Sequence, residues 1–133
     1  MKNYHISRHP SFYTIGLNYK KADAELRGKF SLEEASMQNL LEAAKNQGID
    51  GILATSTCNR TELHGFAQHP FQLIKLLCDH TKGTVEEFQD VAYVYKNKDA
   101  ISHLFKVGTG LDSQILGDFE IISQIKQSFN RSK

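Results

Sequence analysis

Four short β-prone runs, separated by segments of helical period, restrict the architectures open to this chain more than any other feature. Phe12 to Asn18 (FYTIGLN) is rich in aromatic and β-branched residues and reads as a strand. Ile49 to Ala54 is an apolar run suited to a buried strand, Thr61 to Ala67 (TELHGFA) is a plausible partner for it, and Ala92 to Tyr95 is a fourth. Between the first two lie a polar stretch, Tyr19 to Lys29, with room for a short helix, and a run that places Met37, Leu40, Leu41 and Ala44 on one helical face. Ser31-x-x-Glu34 reads as a capping box opening that helix, and Gly48 as its C-terminal cap. Pro70 suits the first position of the next helix, which carries Phe71, Ile74, Leu77 and Cys78 on one face and is ended by Gly83. Asp99 is placed to cap a helix carrying Ile101, Leu104, Phe105 and Gly108, broken by Gly108 and Gly110. A last helix, over about 113–133, is expected from the stripe Ile115, Phe119, Ile122, Ile125 and Phe129.

The order is β-α-β, then β-α-β, then helices. It predicts an α+β fold, a ferredoxin-like sheet of β-α-β repeats with a helical C-terminal part. The 133 residues fit one domain able to bury a core. The final stripe runs almost to Lys133 without a Gly or Pro stop, so a piece of a longer polypeptide is expected. The net charge of +1 does not announce a nucleic-acid binder. No apolar run approaches the roughly 20 residues needed to span a bilayer. The N-terminus has no apolar signal region, and a cytoplasmic protein is expected. Two cysteines, Cys58 and Cys78, argue for reduced thiols rather than a disulfide framework.

The stretch richest in chemistry is Thr55-Ser56-Thr57-Cys58-Asn59-Arg60-Thr61-Glu62, in the turn between two expected strands, where a rigid sheet positions reactive groups. A cation near a thiol favours the reactive thiolate, and Arg60 is two residues from Cys58. Thr57 and Asn59 are suited to orient a carbonyl or donate to an oxyanion. The bland alternative is a small residue packed at a strand end, the common fate of a free cysteine. Cys78, at helical spacing with Phe71, Ile74 and Leu77, is read as core. His103 falls about 200° round the helix from Ile101, away from the apolar stripe. It is either a solvated histidine or a general base or orienting group near Cys58. The other histidines, His5, His9, His64, His69 and His80, show no metal-ligand spacing, and no metal is expected. Gly108-Thr109-Gly110-Leu111-Asp112-Ser113 lacks the full dinucleotide fingerprint and follows no strand; Ser113 can cap a helix or face a ligand.

Together these segments resemble the N-terminal catalytic domain of glutamyl-tRNA reductase. The match runs from Gly16-Leu17-Asn18 to the last expected helix. It rests on Ser56-Thr57-Cys58-Asn59-Arg60-Thr61-Glu62 and on a second block, His103-Leu104-Phe105-Lys106-Val107, Gly110-Leu111-Asp112-Ser113 and Leu116-Gly117. The resemblance implies that Cys58 attacks the ester carbonyl of glutamyl-tRNA(Glu) to give a thioester, with His103 important for activity near the thiol. NADPH would then reduce the thioester to glutamate 1-semialdehyde, for 5-aminolevulinate and tetrapyrrole (porphyrin) synthesis. Thr57, Asn59, Arg60 and Ser113 would line the glutamate pocket, with Arg60 suited to grip a carboxylate. Further substrate contacts would fall at Asp118, Phe119, Glu120 and Gln124. Here the chain departs: the family usually reads Gly-Glu-Pro-Gln-Ile-Leu-Gly-Gln where this sequence has Gly117-Asp118-Phe119-Glu120-Ile121-Ile122-Ser123-Gln124. Asp118 keeps the charge on a shorter arm, Glu120 replaces an amide with an acid, and Phe119 also fits the apolar stripe. Tyr19 stands where the family often has His. The resemblance further implies NADPH-binding and dimerisation domains after this one, a full-length homodimer, and glutamate-1-semialdehyde aminomutase as a partner. It leaves the thioester-forming site, but not the hydride step, to these residues. Two other functions compete: a non-catalytic RNA-binding or regulatory α+β module, and a different thiol hydrolase using Cys58 and His103.

Overall fold

A computed structural model describes residues 9–49, 51–108 and 115–117, with 107–108 and 115–117 as backbone only. In chain order the elements are β1 (Ser11–Asn18), α1 (Ala24–Lys29), α2 (Glu34–Asn46), β2 (Ile52–Ser56), β3 (Arg60–Ala67), α3 (Pro70–Asp79), α4 (Val85–Val91), β4 (Tyr93–Lys96), α5 (Lys98–Gly108) and β5 (Ile115–Gly117). Among the described residues the five strands form one sheet in the order β4-β1-β3-β2-β5, every neighbouring pair antiparallel. The first four strands have the 4-1-3-2 order that two β-α-β units give when joined through a hairpin. The α+β, ferredoxin-like expectation therefore holds.

Local chemistry explains the boundaries. Gly48 takes φ +82°, the left-handed conformation that ends α2. The amide of Gly48 then reaches the Lys45 carbonyl, and that of Ile49 the Ala44 carbonyl. Pro70 occupies the first turn of α3, and His69 with Gln72 closes a capping box in front of it. Three readings need correction. Ser31 does not cap α2: the Leu32 amide is held by Ser56 Oγ at 3.0 Å, and Glu33 becomes an N-cap with no side-chain bond. Helix α3 ends at Asp79 rather than running to Gly83. Gly83 makes room for the Phe30 ring, whose Cζ lies 2.2 Å from where a Cβ would stand. The expected helix over 113–133 does not include Ile115–Gly117, which pairs with β2 as β5. A free β2 edge would leave a row of backbone groups unpaired, and this three-residue strand covers it. The remainder of that expected helix lies outside the described residues.

The two faces of the sheet have different roles. The face bearing Tyr13, Ile15, Leu17, Ile52, Ala54, Leu63 and Ala67 packs with α2, α3 and α4 residues such as Leu40, Leu73, Ile74, Leu77 and Phe88 into the main core. On the other face, Phe12, Leu53 and Phe66 meet Ala100, Ile101 and Leu104 of α5. Because side chains alternate along a strand, Thr14, Gly16, Glu62 and His64 also point to this α5 side.

Candidate active site

Cys58 stands at the tip of the β2–β3 hairpin, and its thiol is free and exposed. The strands pair as far as Ser56 with Thr61, and the Thr57 amide donates to the Arg60 carbonyl at 2.8 Å. Thr57 Oγ1 accepts from the amides of Asn59 and Arg60 at 3.1 and 3.2 Å, folding the tip without a positive φ at Cys58 or Asn59. The Asn59 carbonyl accepts from the Tyr19 amide at 3.0 Å. Arg27, from α1, donates through Nε to the Cys58 carbonyl at 3.0 Å and through Nη1 to the Ala22 carbonyl at 2.7 Å. The thiol is thus open to solvent while the backbone beneath it is tied on three sides.

Under the hairpin, on the α5 side, lies a buried polar row. Gly16 of β1 is opposite Glu62 of β3 and opposite Tyr93 of β4. A Cβ on Gly16 would lie 2.7 Å from Glu62 Cγ. The missing side chain is therefore what lets Glu62 lie across β1. Its Oε2 accepts from the Tyr93 hydroxyl and from His103 Nε2, the latter at 2.5 Å. Arg60 Nη1 is 3.9 Å from the same oxygen. On the far side His64 Nε2 is 3.4 Å from Glu62 Oε1, too long for a good hydrogen bond, and His64 Nδ1 bonds Thr14 Oγ1 at 2.8 Å. The Glu62 and His64 side chains are wholly buried. Burial pushes the Glu62 carboxyl up, but the hydrogen bond from His103, the nearby His64 imidazole and the hydrogen bond from Tyr93 win and hold it well below the usual carboxylate range. Burial and the neighbouring Glu62 charge push the Tyr93 phenol up. Glu62 is therefore a fixed buried anion.

His103 is mostly buried, its side chain 14% exposed, and among the described residues no hydrogen bond joins it to Cys58. Its ring packs on Tyr95 and Tyr93, with centroids at 4.7 and 5.3 Å, and its Nε2 is committed to Glu62. Because an ionised carboxylate only accepts, Nε2 carries its hydrogen and Nδ1 is the nitrogen left for other work. Beside His103 opens a cleft of about 350 Å³, which Arg60 and Tyr93 also line. Thr57, Cys58, Asn59 and Arg60 thus lie together at the hairpin, and of these Arg60 lines the cleft with His103. Ser113, Asp118, Phe119, Glu120 and Gln124 lie outside the described residues. Cys78 is half-buried against the main core, and its thiol is pushed up to about 11 by burial and by the charges of Asp79, Glu86 and Glu87.

The sequence reading gave no role to Arg27, Gly16, His64 or Tyr93, and took Glu62 only as part of a motif. A signal for Glu62 and His64 was present: two ionisable residues at alternate positions of one strand, flanking an apolar Leu63. Among the described residues no three His, Cys, Asp or Glu side chains form a metal-binding group, and no helix is long and apolar enough to cross a membrane. A Rossmann-type dinucleotide site places a glycine-bearing turn between strand and helix. The strand-to-helix turns among the described residues, 19–23, 68–69 and 97, hold no glycine and so offer no such turn.

An antiparallel α+β sheet that presents a braced, exposed cysteine over a buried acid–histidine pair defines a thiol-bearing domain of ferredoxin-like topology. Residues 15–133 match the family model described as glutamyl-tRNA(Glu) reductase, N-terminal domain, and the chain belongs to that family. It is 78% identical over 133 residues to a glutamyl-tRNA reductase of Christiangramia forsetii and 72% identical to one of Flavobacterium psychrophilum. In both cases all of this chain is covered, but only 32% of the relative, so the chain spans about a third of the length of these curated relatives. A solved structure of glutamyl-tRNA reductase from Methanopyrus kandleri shares the fold, with a TM-score of 0.54 at 22% identity over 90% of this chain and 27% of that one.

Proposed function

We propose that this chain carries out acyl transfer from glutamyl-tRNA to Cys58, the thioester-forming half of glutamyl-tRNA reduction. The observation that carries the reading is the exposed Cys58 thiol on a braced hairpin, directly before a strand that buries Glu62 against His103. In the proposed step the sulfur attacks the ester carbonyl, an S–C bond forms and the C–O bond to the terminal ribose breaks. The thiol proton ends on the ribose oxygen that leaves. His103, oriented through Nε2 by the Glu62 carboxylate, is suited to carry that proton on Nδ1, as a carboxylate-held histidine does in acyl-transfer enzymes. Thr57 and Asn59 beside the thiol orient the carbonyl. Arg60 takes the side-chain carboxylate of glutamate, because a guanidinium matches that geometry. Ser113, Asp118, Phe119, Glu120 and Gln124 complete the substrate set in this reading.

For the whole protein of this family, we extend the reading to NADPH-dependent reduction of the thioester to glutamate 1-semialdehyde, which feeds 5-aminolevulinate and porphyrin synthesis. No part of the hydride step is assigned to the described residues. A cytoplasmic homodimer that hands its product to glutamate-1-semialdehyde aminomutase belongs to the same proposal. The test is to mix the chain with glutamyl-tRNA and follow the release of uncharged tRNA. Release by wild type and not by Cys58→Ser supports acyl transfer; equal release by both sinks it. Free glutamate appearing in step with the tRNA would instead favour a thiol hydrolase.

A further inference from the structure

The cleft beside His103 has an unusual charge balance. Lys20, Lys21, Arg60 and Lys106 line it, and none of its lining residues is acidic. Elsewhere two surface lysines are held by carboxylates, Lys29 by Glu87 at 2.7 Å and Lys75 by Asp79 at 2.8 Å. Among the described residues no carboxylate pairs with Lys20, Lys21 or Lys106. The fold brings these three together from distant positions. Lys20 and Lys21 follow Asn18, whose carbonyl and side chain hold their amides in the turn after β1. Lys106 lies three residues after His103 on α5, one helical turn further along nearly the same face. The turn bearing Lys20 and Lys21 is tied to the cysteine hairpin by the bond from the Tyr19 amide to the Asn59 carbonyl. The cleft also has an aromatic wall, where Tyr95 stacks on His103 with an interplanar angle of 33°.

The four cations are of two kinds. Arg60 is mostly buried and already faces the Glu62 carboxylate, as suits recognition of one small planar anion. The lysines are exposed, flexible point charges, suited to phosphates whose positions vary. A basic groove with an aromatic platform is the chemistry that holds single-stranded nucleic acid. The cleft's 350 Å³ is at the small end of ligand sites and has room for a terminal nucleotide, not a duplex.

We propose that Lys20, Lys21 and Lys106 grip the phosphates of the single-stranded 3′ end of the tRNA while its last base packs on Tyr95, so that the acylated ribose comes to the Cys58 hairpin. This subsite rests on the acyl-transfer reading and adds to it where the RNA lies. Its test needs no chemistry: equilibrium binding of a labelled single-stranded RNA ending in CCA to the intact chain, over a range of salt. Each phosphate contact contributes about 0.7 to the slope of log K against log salt for a single strand. The triple variant Lys20→Gln, Lys21→Gln, Lys106→Gln should therefore lose about 2 from that slope. A control triple, Lys45→Gln, Lys75→Gln, Lys82→Gln, removes the same formal charge elsewhere and should keep the wild-type slope. Tyr95→Leu should weaken binding about tenfold with the slope unchanged, the mark of lost stacking. Equal slopes for wild type and the cleft triple, or equal losses in both triples, would overturn the proposal. So would displacement of the RNA by inorganic phosphate at concentrations that leave ionic strength unchanged, which would make the cleft a simple anion site. Cys58→Ser should bind the RNA as wild type does, so failure of the acyl-transfer reading and failure of the RNA subsite give different results.

Discussion

Gly16→Ala isolates the packing device on which the site depends. The backbone at Gly16 is not in the left-handed region, so alanine meets no backbone strain there. The cost is contact: the new Cβ would stand 2.6 Å from the Thr61 carbonyl oxygen and 2.7 Å from Glu62 Cγ. The first is backbone of a paired strand and cannot swing aside, so β1 and β3 must separate locally, and the Glu62 side chain must give way as well. Overpacking of this kind costs about 1–3 kcal/mol. Displacing Glu62 adds loss of a charged hydrogen bond, worth roughly 1.5–3 kcal/mol. Both cannot be paid in full, because moving Glu62 relieves part of the clash, and about 3 kcal/mol is expected. A domain of this size holds about 5–15 kcal/mol, so the variant should still fold and be measurable. The assay is urea denaturation at neutral pH, reading the midpoint at unchanged m. The control is Gly28→Ala in α1, where a Cβ meets nothing within 4 Å and a helical alanine should stabilise by about 0.5–1 kcal/mol. A loss below about 0.5 kcal/mol for Gly16→Ala, no more than an ordinary surface change, would refute the idea that Glu62 crosses β1 through the space Gly16 leaves.

Three further expectations follow from the same geometry. Because the Glu62 carboxyl is held below its unfolded value, its stabilisation is full above about pH 4.3 and is lost as pH falls towards the folded value, at roughly 1.4 kcal/mol per pH unit; acid titration of stability should show this slope in wild type and a shallower one in Glu62→Gln. With the Cys78 thiol pushed up to about 11, only about one in a thousand of these groups is thiolate at pH 8, so iodoacetamide followed by peptide mapping should label exposed Cys58 well before Cys78. Arg27→Met keeps the stem but frees the Cys58 carbonyl, and it should slow tRNA discharge about tenfold or more, as misplacement of a reacting group does, while costing only about 1–2 kcal/mol of stability in urea.

Much of the scaffold was legible because its signals are local. Gly48 and Pro70 mark helix ends through backbone conformation alone, and the strand order follows once four strands and their helices are recognised. Helix α4 escaped notice because its seven residues bury only Phe88, although Thr84 and Glu87 spell out its capping box. Ile115 was read by its apolar stripe, but pairing with β2 overrode helical period. At the site, the hairpin around Cys58 was visible as a motif, and His103 was rightly set off the apolar stripe. What helical angle could not say is that the sheet beneath α5 is polar there, so a histidine turned from the apolar core meets Glu62 and two tyrosines. That contact joins residues 62, 93 and 103 through a gap at residue 16, a long-range coincidence that no local pattern encodes.

The central claim is that glutamate passes from tRNA to the sulfur of Cys58. The chain, mixed with glutamyl-tRNA, quenched in acid and digested, should yield a glutamylated peptide containing Cys58. The adduct should be removed by hydroxylamine, absent from the Cys78 peptide and absent in Cys58→Ser. Glutamate found on another residue, or tRNA discharged with Cys58 unmodified at every time point, would contradict the account.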